Sequence, residues 1–264
     1  MSGDEIAVLF ISTAIGIWTW LRWYRAAFVK MLIVRNPSRV IFMAAPIACA
    51  AILFIVLRLW AANDVRDSSV YLFFYMVMGV AWVGASCRIF EFVGICPRDD
   101  TVERQNMAAA FASAGALIAV TSCLAGANVG NGPGWWVVVF STLLSTIAFF
   151  VLWACFEWAT DVSESVTVER DNGAGLRLGG FLCGTGIILG RSVTGDWISA
   201  GATVRDFIAV GWPALPLAVA GAVAERSFRP YPSRQTASMQ ASLVLAGVYV
   251  GAAIFYVFLW QGPP

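Results

Sequence analysis

Residues Phe90 to Asn106, FEFVGICPRDDTVERQN, are written again 66 residues later as Phe156 to Asn172, FEWATDVSESVTVERDN. Phe-Glu-aromatic opens both copies and Thr-Val-Glu-Arg-x-Asn closes both, which sets Glu91 over Glu157, Arg104 over Arg170 and Asn106 over Asn172. A worn third copy follows at an offset of 68, where Glu225 succeeds Glu157 and Gln240 succeeds Asn172. Each copy closes one long apolar run and opens the next. Self-similarity at this period makes the chain a tandem array of helix pairs.

The apolar runs decide the class. A transmembrane helix needs about 20 mostly apolar residues. Eight stretches are candidates: 6–21, 40–61, 70–90, 107–126, 135–156, 176–190, 204–223 and 237–260; the first and sixth are short, and the repeat demands the sixth. Only 12% of residues are charged, against about 25% in soluble domains. The expected fold is therefore all-α, a polytopic integral membrane protein of about eight transmembrane helices. An N-terminal helix pair (1–66) precedes three parallel two-helix repeats (about 70–126, 135–190 and 204–260, within 67–264). Parallel copies follow because two spans return the chain to the same side.

Composition also bounds the chemistry. The chain has no histidine and one lysine, Lys30, in a basic loop, so the usual haem and zinc ligands and a buried Schiff-base amine are missing. The six cysteines form no Cys-x-x-Cys pair and lie mostly in apolar runs, where a free thiol packs as a small hydrophobe. No cofactor, no metal and no catalytic residue are expected. A net charge of +1 argues against nucleic acid.

Loop charge sets an orientation. Thirteen of the seventeen Lys and Arg fall between spans 1 and 2, 3 and 4, 5 and 6, or 7 and 8. The positive-inside bias puts those loops in the cytoplasm and both termini on the outer side of a bacterial inner membrane, periplasmic in a Gram-negative host. Trp135, Trp136, Trp197, Trp212 and Trp260 sit near the outer ends, where indoles favour the headgroup zone. The opening MSGDE lacks a basic n-region, so the first run reads as a span rather than a cleaved signal.

Spans 4, 6 and 8 are rich in small residues, among them Gly115, then Gly179, Gly180 and Gly184, then Gly247 and Gly251. Small residues three or four apart let helix backbones meet closely in lipid. Spans 3, 5 and 7 are bulkier, with Phe73, Phe74, Trp82, Phe149, Phe150 and Trp153. The expected arrangement buries the small-residue helices together and turns the aromatic ones to lipid.

The repeated loops carry a polar set: Glu91, Glu157 and Glu225 at the ends of bulky spans, Asn106, Asn172 and Gln240 at the mouths of small-residue spans, and Arg104 and Arg170 as nearby cations. Acids and amides at a helix start can simply cap free amides and oppose the macrodipole. The recurring glutamates point further, to a polar clasp or to a shared site for a cation, proton or headgroup on the cytoplasmic leaflet.

The TVERQNMAAA stretch (101–110), the small-residue helix after it and their return one pair later resemble the YjfL-like family of bacterial inner-membrane proteins of unknown function. The resemblance covers about residues 70–260; spans 1 and 2 lie outside it. It implies tandem helix pairs in the inner membrane and no reaction. Two functions remain open at this stage. One is a non-enzymatic subunit or scaffold that contacts the lipid bilayer and oligomerises with its own kind or with other proteins, docking partners on the repeat loops. The other is a small-solute or ion transporter with the Glu and Asn/Gln positions lining a polar path. The almost charge-free span centres favour the first.

Overall fold

The computed structural model describes residues 1–31, 36–228 and 238–260; of the basic loops, Arg35, Arg229 and Arg234 lie outside the described residues, as does most of the third repeat loop (226–236). The fold is all-α. Long helices run α1 (Gly3–Met31), α2 (Pro37–Leu59), α4 (Ser69–Ser86), α5 (Met107–Ala127), α6 (Trp135–Thr160), α8 (Asn172–Arg191) and α11 (Met239–Phe255). Short α3 (Asn63–Arg66) and α7 (Val162–Thr167) lie in connections, and α9 (Ala200–Gly211) and α10 (Ala214–Phe228) follow one another. Among the described residues, seven helices are long and apolar enough to cross a membrane, or eight if α9 and α10 count as one span.

That last pair differs from the single span expected over 204–223. The helix breaks at Trp212-Pro213 and turns by 40°. Proline lacks the amide that would continue the ladder and its ring crowds the preceding turn. The first span is longer than its apolar run, because α1 continues through the Arg-Trp-Tyr-Arg segment as a 29-residue helix.

Four helices, α2, α5, α8 and α11, form an inner row in that order, each packed on the next. They run parallel, since contacts between neighbours advance together along both chains: Ala108 with Gly175, Ala119 with Gly186, Gly126 with Gly190. The others run the opposite way and cover the row; α1 lies on α4, and α6 and α10 lie on α8. The end carrying the N-termini of the inner row is called the cap end here, and the opposite end the turn end.

The seam between α5 and α8 is made by absence of side chain. Ala108, Ala112, Gly115, Ala119, Ser122 and Gly126 recur at 4-3-4-3-4 spacing, and each faces a glycine of α8. A 3.5-residue period is the left-handed coiled-coil seam. A Cβ added to Gly179 would stand 2.6 Å from the Phe111 carbonyl oxygen, and one added to Gly115 or Gly190 would run into the facing backbone. On its other side α8 meets α11, where a Cβ on Gly180 would lie 2.6 Å from Ala246 Cα. In the apolar window of α8, 83% of residues are buried, against 22% for α11. Helix α8 is therefore the centre of the molecule and α11 its edge.

The aromatic side chains do not turn to lipid as a class. Phe73 does, but Phe74, Phe149 and Trp153 are among the largest fully buried side chains. The reason is volume. Inner helices stripped to Ala and Gly leave space on the faces they turn to α4 and α6, and close packing requires something large to fill it. Phe90, Phe149, Phe150 and Trp153 form one interlocked ring cluster there, with centroids 5.2 to 6.2 Å apart.

Candidate functional site

The cap end is where the repeated polar residues lie. Each inner helix starts at a side-chain cap: Asn36 accepts from Ser38 N, Asn106 from Ala108 N, Asp171 from Gly173 N and Ser238 from Ala241 N. Such caps satisfy amides that have no partner within the helix.

The backbone of the first loop recurs in the second, one residue out of step with the sequence identity. Asn106 N donates to the Asp100 carbonyl and Arg104 N to that of Asp99; 65 residues on, Asp171 N donates to Ser165 and Glu169 N to Glu164. Gln105 and Arg170, just before the caps, share φ of 56°. The residue equivalent to Asn106 is thus Asp171 rather than Asn172, which sits exposed in the first turn of α8. Aspartate caps as well as asparagine, so the turn closes one residue early and the repeated Asn is left over.

The predicted polar set does not gather. Glu91 is half-exposed and reaches Arg88 at 3.8 Å and the Cys96 thiol, while Arg104 pairs with Asp100 at 3.2 Å. Glu157 accepts from Ser163 N and Oγ, within its own loop. Arg170 and Gln240 are exposed. Asn106 reaches across loops; buried, it donates from Nδ2 to the Val166 carbonyl at 2.6 Å. Ser38 does the same one loop earlier, to the Thr101 carbonyl at 3.0 Å. The loops therefore interlock through backbone carbonyls, and Glu91 and Glu157 each hold a partner within their own loop. Burial pushes the Asp100 carboxyl above its ordinary range, opposed by the Cys96 amide and the Arg104 guanidinium.

Glu225 is the exception, and its partner is a residue that loop charge concealed. Arg177, counted with the cytoplasmic loops, lies inside α8 with 2% of its surface exposed. Its Nε donates to Glu225 Oε2 at 2.7 Å and Nη2 to Oε1 at 2.6 Å, a bidentate pair between α8 and α10. Nη1 donates to Ser242 Oγ of α11 at 2.7 Å, Asp171 stands 3.7 Å away, and the Phe228 ring lies 5.0 Å from the guanidinium carbon. Gly173 makes the space, since a Cβ there would lie 2.6 Å from Ser242 Oγ. A planar fork satisfied on three sides is how arginine tolerates burial. Chemically this is a static clasp joining α8, α10 and α11.

The packing glycines divide likewise. Gly115, Gly179, Gly180 and Gly184 are pressed against neighbouring backbone, whereas Gly247 and Gly251 have no heavy atom within 4 Å of an added Cβ. They lie on the open face of α11, four residues apart.

The turn end is built differently. The connections after α2, α5 and α8 lie side by side, with Ala61 bridging Val129, Gly195 N donating to the Val129 carbonyl at 2.9 Å and Trp197 N to that of Asn131 at 2.8 Å. Under them is a cavity of about 360 Å³.

Residues 132–258 match a sequence family described as Domain of Unknown Function (DUF350). The matched stretch runs from just before α6 into the last turns after α11, just under half of the chain, and holds two helix pairs of the row. No curated protein and no solved structure matches the chain.

Proposed function

We propose that the protein is a non-enzymatic scaffold subunit of a bacterial inner membrane, built from tandem helix pairs and assembling with further copies of itself through α11. The observation that carries the proposal is the contrast between glycines. On α5 and α8 they are consumed in backbone contact inside the chain, while Gly247-x-x-x-Gly251 on α11 is left facing open space. The G-x-x-x-G spacing is the one that lets two membrane helices approach closely. Its position supports the same reading: α11 is the edge of a row whose successive members already meet through small residues.

The orientation proposed is the one the basic loops favour, with the cap end cytoplasmic and both termini outside. The pair α1–α2 joins the row as the other pairs do, and its cap, Asn36, matches theirs. We therefore count four helix pairs, the first too diverged to carry the loop motif.

The experiment is disulfide trapping. In a background lacking native cysteines, Gly251→Cys is expected to give a covalent dimer on mild oxidation in membranes, while Phe73→Cys, equally exposed to lipid, does not. Equal trapping at both sites would mean random collision, and trapping to a different protein would make the partner foreign.

A second reading, a small-solute or ion transporter, has one observation in its favour. Ser113 of α5 and Thr185 of α8 are buried in the membrane-spanning region with hydroxyls that make no hydrogen bond to described residues. Unpartnered polar groups there often mark a path. Reconstituted vesicles would decide: the scaffold reading expects no ion or proton flux, and flux lost in Thr185→Val would favour the transporter.

A further inference from the structure

We propose that the turn-end cavity binds a small organic cation carrying N–H donors, of the primary ammonium class. This goes beyond the scaffold reading and does not depend on it.

The cavity has the dimensions of a small-molecule site, about 360 Å³, where such sites span roughly 300–1,000 Å³. Its rim is acidic: Asp64, Asp196 and Asp206 line it, and no Lys or Arg does. Exposed carboxylates alone would be an ordinary solvated surface. The depth of the cavity is the second observation. Tyr75 of α4 and Ser141 of α6 line it with 8% and 3% of their surfaces exposed. Neither side-chain hydroxyl has a hydrogen-bond partner among the described residues. These two nearly buried residues line one space with three carboxylates, and their hydroxyls make a polar floor that an N–H donor would complete.

The acidic wall is held in place. Asp196 Oδ1 accepts from both Asn131 N at 2.7 Å and Asn131 Nδ2 at 2.9 Å, which fixes the carboxylate. The loops carrying it are bridged by backbone, and a Cβ on Gly130 would collide with Gly195. Arg66 and Arg191 line a neighbouring groove that Asp196 also borders, and donate to Asn63 and Thr194. The carboxylates do not converge: no group of three or more His, Cys, Asp or Glu among the described residues could hold a metal ion. Separated acids around hydroxyl acceptors suit a cation that spreads its donors, not a bare ion needing one tight cage.

The test uses the full chain purified in detergent or nanodiscs, titrated calorimetrically with n-butylammonium, 1-butanol, tetramethylammonium and Mg²⁺. Saturable binding of n-butylammonium is expected, with tetramethylammonium weaker because it has no N–H to give. Asp206→Asn, on the exposed face of α9, and Ser141→Ala should each weaken n-butylammonium by about tenfold, one charge-assisted contact. Unchanged unfolding temperatures in both variants would show that the fold is intact. Absence of saturation overturns the proposal. So does equal affinity in the native chain and both variants, a matching response to 1-butanol, which would make the cavity merely apolar, or a matching response to Mg²⁺, which would make it a diffuse acidic surface. Binding with the oligomeric state unaltered separates this result from that of the scaffold.

Discussion

Arg177 and Glu225 stand 48 residues apart in sequence and meet through two hydrogen bonds of 2.7 and 2.6 Å, nearly sealed from solvent. Removing one partner strands the other charge, and breaking such a pair costs about 3–5 kcal/mol. Arg177→Met and Glu225→Gln are each expected to lower stability strongly in detergent unfolding. The double variant should cost clearly less than the two together, because neither leaves an orphan for the other. Additive losses would mean that the two side chains act separately.

The one-residue slip between motif and cap separates two neighbouring residues. Asp171→Ala should cost about 1 kcal/mol by removing the acceptor of Gly173 N, whereas Asn172→Ala in the exposed first turn should cost almost nothing. Unfolding curves of the two variants compare them directly. A larger loss at Asn172 would restore the register that sequence identity suggests.

Much of this architecture was legible in the sequence because spans follow apolar length and inner helices follow small-residue spacing. Gly179, Gly180 and Ala119 lie where that spacing puts them. The polar site was not legible, for physical reasons that particular residues expose. Arg177 reads as a loop charge because its depth depends on where α8 begins, and the cap at Asp171 adds a turn and a half before it. Phe149 and Trp153 read as lipid-facing because sequence pattern shows which helices are bulky but not which of their faces meets a hollow. The break at Trp212-Pro213 was visible in the proline itself. The bridged loops over the turn-end cavity needed three connections brought together in space.

Acid titration offers a separate check of the cap end. Burial raises the Asp100 carboxyl, so the folded chain holds that proton more firmly than the unfolded chain does. Its contribution to stability therefore grows as pH falls through the raised value and levels off near the ordinary value of about 3.9. Asp99, Arg104 and the Cys96 amide are the groups acting on it. Asp100→Asn removes this titration, and the stability difference between native and variant should shift in favour of native as pH falls from neutral. A pH-independent difference would mean that Asp100 titrates normally.

Glycines inside the row and glycines at its edge should respond oppositely. Gly179→Leu forces a side chain into the Phe111 backbone and should lower unfolding temperature markedly, since overpacking a tight contact costs about 1–3 kcal/mol or more. Gly251→Leu meets open space and should leave the stability of the single chain nearly unchanged. Equal destabilisation at both positions would show that α11 packs within the chain on both sides.

The assembly itself is read most directly by native mass spectrometry of the protein released from nanodiscs, native against the Gly247→Leu/Gly251→Leu double variant. The chain has a mass of 28.5 kDa. The expected result is a defined multiple of that mass for the native protein and a single chain for the variant, with the fold of the variant intact by circular dichroism. A native protein that is a single chain in the bilayer, or a variant that assembles as well as the native, would contradict the account.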